Sequence, residues 1–475
     1  MAGAVCILVP ICFPNVPARR RRRPRRRLAP SAHGPPRFPA VSASPVTGFS
    51  GTQGSGASTS RRPLRYHQPP RSAPSRLPLS FPALFLKRRE DRRLRAGHPW
   101  VYSNEVDVQR SPLAVFEPGQ QAEVRANDGH LLGMAYVNPR TLISARVYSR
   151  RAGEALDRAL LARRVARALA LRERLFESPQ YRLVHGEGDG LPGLVADRYG
   201  DVLVAQLGTA GMDRLRADVV AVLAELTRAR AVVLRNDAPG RAIEGLEQSV
   251  EVPVGQAPEW HTIEENGARF RISPLHGQKT GWFWDQRQNR ARLAAYVRGA
   301  RVLDVFSYDG AWGVQAARAG ASRVTCVDAS AQALQRLAEN AALNGVAERV
   351  EALQGDAFDR LKDLREAGER YDVVVVDPPA FIKRVKDREA GLEAYQRLNR
   401  LALRVLAPDA VLVSCSCSYH LDRETLVDLL YRAARHADRN LQILEHGHQG
   451  PDHPIHPAVP ETAYLKCVTV RAYRE

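Results

Sequence analysis

The chain has 475 residues, 44% of them hydrophobic, and a formal charge of +19, enough material to bury more than one core. Its six cysteines, Cys6, Cys12, Cys326, Cys415, Cys417 and Cys467, are too few and too scattered for a disulfide scaffold or a zinc site. No apolar run reaches the roughly 18 residues that a membrane-spanning helix needs, so a soluble, metal-free protein of a reducing compartment is expected.

Residues 1–80 hold 14 Arg and 14 Pro with no Lys, Asp or Glu, whereas the rest of the chain carries 56 basic against 51 acidic residues. The basic excess thus sits mostly in a tail that lacks helical or strand periodicity, and disorder is expected there. The apolar stretch 2–16 precedes the arginine run, the reverse of a secretory signal, and the density of proline argues against an amphipathic organellar leader. A cytoplasmic protein is the expectation.

Residues 81–152 read as a small β domain: short alternating runs such as 122–125 and 142–148 are broken by Pro118-Gly119 and Asn127-Asp128-Gly129. A basic cluster, with Lys87, Arg88 and Arg92 among its members, precedes His98, Trp100 and Tyr102. Cations for phosphates beside aromatics for unstacked bases suit single-stranded or looped RNA. For Trp100 a role as core anchor is the stronger reading.

Residues 153–267 read as a middle α+β unit. Leu160, Leu161, Val165, Leu169 and Leu171 recur at helical spacing within a helix expected over 156–176. A strand over 202–205, a helix over 214–227 and a strand over 231–234 follow. Gly186, Gly188, Gly190 and Gly193 suggest a phosphate loop, but no Gly-Lys-Ser/Thr closes it and Pro192 interrupts it, so a turn-rich connector is preferred.

From residue 268 to the end, strands expected at 302–305, 323–327, 350–353 and 373–376 alternate with helices, and strands at 410–414, 441–444 and 464–470 complete the set. Such alternation predicts an α/β, Rossmann-like, doubly wound sheet with ligands at the carboxyl ends of its strands. Asp304, Asp328, Asp356 and Asp377 all fall at those ends. Gly310 and Gly313 would let the backbone turn tightly and approach a ligand, and Asp328, 24 residues after Asp304, suits ribose hydroxyls. Asp356 suits an adenine amino group. Asp304 and Asp328 could instead cap helices. A nicotinamide site expects Gly-x-Gly-x-x-Gly, which Ser307, Tyr308 and Asp309 do not supply, so S-adenosylmethionine is the expected cofactor.

Asp304-Val-Phe-Ser-Tyr-Asp-Gly, Asp328, Gly355-Asp356-Ala357 and Asp377-Pro-Pro-Ala-Phe resemble class I methyltransferases. From about residue 84 onward the chain resembles the RlmI-type large-subunit ribosomal RNA cytosine-C5 methyltransferases. The resemblance is carried by His98-Pro99-Trp100-Val101-Tyr102-Ser103, Gly186 to Gly193, Gly277-Gln278-Lys279-Thr280-Gly281, Asp285-Gln286-Arg287, Ser416-Cys417-Ser418 and Asp452-His453-Pro454. It implies an N-terminal PUA domain, a middle domain, a C-terminal methyltransferase domain and ribosomal RNA as partner; a homodimer is left open. The expected cofactor contacts are Asp304, Phe306, Tyr308, Gly310, Asp328, Asp356, Ala357 and Asp377, with Asp285 and Arg287.

Cytosine C5 is too poor a nucleophile to take a methyl group unaided, so a thiolate must first add at C6. The resemblance gives that role to Cys417, with Asp377 holding or protonating the base at its N3 and amine edge. Ala380 stands where some RNA cytosine methyltransferases carry a second cysteine. The Asp377-Pro-Pro-Ala-Phe turn also resembles enzymes that methylate exocyclic amines or guanine N7, which need no cysteine, and a non-catalytic RNA-binding assembly factor is the remaining alternative.

Overall fold

A computed structural model describes residues 80–277 and 280–475. Residues 1–79 of the expected disordered tail and the motif residues Gln278 and Lys279 lie outside the described residues.

The N-terminal sheet is formed by β1 (Ala83–Phe85), β2 (Trp100–Tyr102), β3 (Gln120–Arg125), β4 (Leu131–Val137) and β5 (Ile143–Ser149), in the order β1-β3-β4-β5-β2. Its core gathers Leu84, Leu86, Val101, Val124, Ala135 and Val147, the inward positions of the alternating runs. The helix α1 (Arg158–Leu175) then begins at Asp157, whose side chain accepts a hydrogen bond from Leu160 N and so caps it.

Next come β6 (Gln180–His185), β7 (Leu194–Tyr199), β8 (Val202–Leu207), α2 (Arg216–Thr227), β9 (Ala231–Asn236) and β10 (Ser249–Val254), the strands ordered β10-β9-β8-β7-β6. The glycine-rich stretch 186–193 is packed against the distant segment 452–454. A Cβ on Gly188 would lie 2.1 Å from the Pro454 carbonyl oxygen, so only glycine fits there. Arg172 grips both Asp189 oxygens at 2.6 and 2.8 Å and the Asp452 carbonyl at 2.8 Å. This stretch is a joint between segments far apart in sequence.

A hairpin of β11 (His261–Glu265) and β12 (Ala268–Ile272) follows. The junction expected at 267–268 falls inside it. Ile263, Phe270 and Ile272 belong to the same core as Val302, Val324 and Val373, so the hairpin packs with the C-terminal sheet.

That sheet has seven strands: β13 (Arg301–Val305), β14 (Arg323–Asp328), β15 (Val350–Gln354), β16 (Tyr371–Val376), β17 (Leu406–Ser416), β18 (Asn440–Gly447) and β19 (Lys466–Tyr473). Their order is β15-β14-β13-β16-β17-β19-β18, with β19 antiparallel to both of its neighbours and the other pairings parallel. The run Val373, Val374, Val375 and Val376 is buried throughout, as expected of a parallel strand covered on both faces. Alternating helices α3 (Arg287–Leu293), α4 (Ala311–Arg318), α5 (Ala331–Leu343), α6 (Ala357–Glu366), α7 (Arg388–Arg404) and α8 (Arg423–Arg435) complete the doubly wound fold. Strand order reverses between β13 and β16, which is where such sheets bind ligands.

Candidate active site

At the carboxyl end of β13, Asp304 is fully buried. Its Oδ2 accepts a hydrogen bond from Gly313 N at 2.9 Å. Its Oδ1 has no partner among the described residues. Burial pushes this carboxyl up to about 8, with Asp377 and Asp328 adding to the effect and the Gly313 bond opposing it. Gly313 was expected to admit a ligand. Instead, a Cβ there would come within 2.4 Å of Cys326 Sγ and 3.2 Å of Asp304 Oδ2, so this glycine lets α4 pack closely on the sheet.

The segment after β13 is strained: Phe306 and Tyr308 have φ of 67° and 48°, in the left-handed region that side-chain-bearing residues seldom adopt. Three bonds hold it there. Phe306 N and Ser307 N donate to Val327 O at 2.9 and 3.0 Å, and Tyr308 N donates to Asp328 Oδ2 at 2.9 Å. The other Asp328 oxygen accepts from Ser330 N at 2.9 Å, so Asp328 shapes the loop. Gly310, with φ of 86°, starts α4.

Asp356 turns out to be a helix cap: its Oδ1 accepts from Phe358 N at 2.9 Å and Asp359 N at 3.3 Å at the start of α6, beside the buried Ala357. An aromatic wall stands nearby, formed by Phe306, Phe381 and Phe358, the last not named from the sequence, with Phe306–Phe381 and Phe358–Phe381 ring centroids 6.4 and 6.1 Å apart. Asp377, following β16, accepts from Gln286 Nε2 and Trp312 Nε1, both at 3.0 Å, and burial pushes its carboxyl up to about 6. Asp285 accepts from the Tyr464 hydroxyl at 2.6 Å. Arg287 is engaged elsewhere: it stacks over Trp284 at 4.3 Å and Phe176 at 4.7 Å and donates to the Gln180 carbonyl. The structure thereby places Arg287 in the joint with the middle unit rather than among the strand-end carboxylates.

These residues fit S-adenosylmethionine. A buried carboxyl oxygen without a partner, two further acids at adjoining strand ends and flat apolar rings match a ligand with cationic, ribose and adenine parts.

Cys417 follows directly on β17 and is half-buried. The residues on either side of it are fixed. Ser416 Oγ donates to Tyr395 Oη at 2.9 Å, Tyr395 Oη lies 2.9 Å from Ser418 Oγ, and Ser418 Oγ accepts from Ile382 N at 3.1 Å. The last bond ties the Cys417 turn to the segment that begins at Asp377. Because β17 ends at Ser416, strand alternation does not extend to Cys417, and Cys415 sits in the core opposite Cys467.

On the N-terminal sheet, Lys87, Arg88 and Arg92 are exposed. Trp100 is 4% exposed, and its Nε1 donates to Glu187 Oε1 at 2.8 Å. That contradicts a stacking role on RNA and makes Trp100 the anchor of the β domain on the middle unit. His98 packs edge-on to Trp100, and burial with the Arg93 guanidinium presses its ring down to about 4, which leaves it neutral near pH 7. Tyr102 is half-buried beneath Arg93, 4.5 Å away.

The seven-stranded order with its antiparallel β19, together with acids at the ends of β13, β14 and β16, defines an S-adenosylmethionine-dependent methyltransferase fold. A family model for S-adenosylmethionine-dependent methyltransferases matches residues 181–471, and one for a PUA-like domain matches 84–150. Ribosomal RNA large subunit methyltransferase I of Shewanella denitrificans is 37% identical over 393 residues, covering 82% of this chain and 98% of that protein. The protein of the same name from Shewanella amazonensis is 38% identical over 394 residues, with the same coverage. The chain belongs to this methyltransferase family. Among solved structures, a Streptococcus mutans protein described as a methyltransferase superimposes with a TM-score of 0.70 at 20% identity, covering 82% of this chain and 100% of that one. A methyltransferase complexed with SAH gives the same TM-score and coverage at 21% identity. These two speak for the fold alone.

Proposed function

We propose that this protein methylates C5 of a cytosine in large-subunit ribosomal RNA, in the cytoplasm, through a covalent bond between Cys417 and C6. The observation that carries this reading is the bond from Ile382 N to Ser418 Oγ, which joins the Cys417 turn to the segment headed by Asp377. The relatives named as ribosomal RNA large subunit methyltransferases support RNA as the substrate. S-adenosylmethionine supplies the methyl group when bound, with Asp304, Asp328, Asp356 and the Phe306 loop as the residues that would hold it.

In this reaction the Cys417 thiolate forms a bond to C6. The C5–C6 double-bond pair moves onto C5 through the ring, with Asp377 giving or sharing a proton at N3. C5 takes the methyl group, a base then removes the C5 proton, and the C6–S bond breaks to return the thiolate. The target base must be unstacked to reach such a site, so free or partly assembled RNA is the substrate form.

The experiment is Cys417→Ala tested on ribosomal RNA from a strain lacking the gene, with methylation mapped by mass spectrometry. The reading expects cofactor binding intact, turnover lost and a 5-methylcytosine absent from the strain's RNA. Substantial surviving methylation would favour attack by an exocyclic amine or guanine N7, which needs no thiol.

A further inference from the structure

Lys466 begins β19, and the antiparallel register places it opposite Ser416, the residue before Cys417. It is 5% exposed. Its Nζ donates to the Ser418 carbonyl at 2.5 Å and to the Tyr464 carbonyl at 2.7 Å. The ammonium therefore clamps the residue after Cys417 from a strand position that pairs with the residue before it. Both acceptors are neutral carbonyls, so two of its three donors are spent without meeting an anion.

The groups that face Lys466 are Cys417, Asp422 and Arg423, and His420 on the same turn also senses it. Tyr395, from α7, is also a titratable neighbour of Cys417. Burial presses the Lys466 ammonium down to about 8, with the Cys417 thiol and Asp422 acting in the opposite direction. The influence is mutual: whatever the thiolate does to hold the proton on Lys466, the ammonium does to drive the proton from Cys417.

We propose that Lys466 is the positioning residue and charge partner of Cys417, fixing the Ser416–Ser418 turn and holding the cysteine as a thiolate. The proposal rests on the reading of Cys417 as nucleophile. It gives the buried lysine a task that a packing role would not require, because an uncharged side chain of similar length would fill the same space without a desolvation cost.

The test is the pH profile of Cys417 alkylation by iodoacetamide in the full-length protein, followed by peptide mass spectrometry. The wild-type midpoint is expected at least one pH unit below the roughly 8.5 of a free cysteine. Lys466→Met should raise it by at least one unit, slowing alkylation at pH 7 about tenfold while the high-pH plateau stays the same, and Lys466→Arg should keep the low midpoint. A wild-type midpoint at or above about 8.5, which needs no variant to fold, overturns the proposal, as does a midpoint unmoved by Lys466→Met. A depressed midpoint in a wild-type protein that forms no adduct with RNA would support the pairing and count against the nucleophile.

Discussion

Ser418 Oγ accepts a hydrogen bond from Ile382 N at 3.1 Å, so two segments 36 residues apart in sequence share one anchor between the ends of β16 and β17. Ile382 is 2% exposed. Ser418→Ala would leave this buried N–H unpaired at a cost of about 1–3 kcal/mol. We predict a lower denaturation midpoint, together with a fall in kcat of about tenfold or more and unchanged S-adenosylmethionine affinity by calorimetry. Unaltered kcat would show that the turn need not be held this way.

Asp328 is predicted to govern cofactor binding through the strained loop. Asp328→Ala removes the acceptors of Tyr308 N and Ser330 N, releasing the left-handed backbone at Phe306 and Tyr308. Titration with S-adenosylmethionine should show at least tenfold weaker binding, a loss of about 1.4 kcal/mol or more. Asp328→Asn, which keeps one acceptor, should fall between.

Asp304 should impose a pH dependence on stability. Its carboxyl lies near 8 in the folded chain and near 3.8 when unfolded, so between these values the native state holds a proton that the unfolded state has released. Stability from this group is complete below the unfolded value and is lost as pH rises, at up to about 1.4 kcal/mol per pH unit, until the folded value is passed. Asp304→Asn, which can still accept from Gly313 N, should flatten that decline. Thermal unfolding of both proteins between pH 5 and 9 checks it, at about pH steps of one unit.

The exposed Lys87, Arg88 and Arg92 should contribute to RNA affinity mainly through phosphate contacts. Replacing all three with Ala should reduce the slope of log affinity against log salt by about two, at about 0.7 per contact on single strands. Trp100→Phe, by contrast, should leave that slope unchanged and lower stability, because it removes the bond to Glu187.

The α/β class and the strand-end acids were legible because each depends on local pattern: an apolar run, then a carboxylate, then a turn. What those acids do locally was less legible. Capping and cofactor roles ask for the same residue type at the same place, so Asp356 as a cap could not be told from Asp356 as a ligand. For Trp100 the preferred reading as a core anchor holds, but its partner Glu187, 87 residues away, was not legible. Lys466 and Tyr395 went unnoticed for the same reason: the register of β17 with β19 and the packing of α7 bring them to Cys417, and neither is written in a short stretch of sequence. Arg287 was expected at the cofactor because a motif fixes proximity in sequence, while its guanidinium packs against Phe176 and bonds to Gln180.

The most direct test of the central claim is trapping with RNA that carries 5-fluorocytosine at the target position. Fluorine at C5 cannot leave as a proton does, so a reaction through C6 stops with the enzyme attached. Incubated with S-adenosylmethionine, the wild-type protein should form a denaturation-resistant RNA adduct that carries the methyl group and maps to Cys417 by peptide mass spectrometry. Methyl transfer to natural RNA without any such adduct, or an adduct that persists in Cys417→Ala, would contradict it.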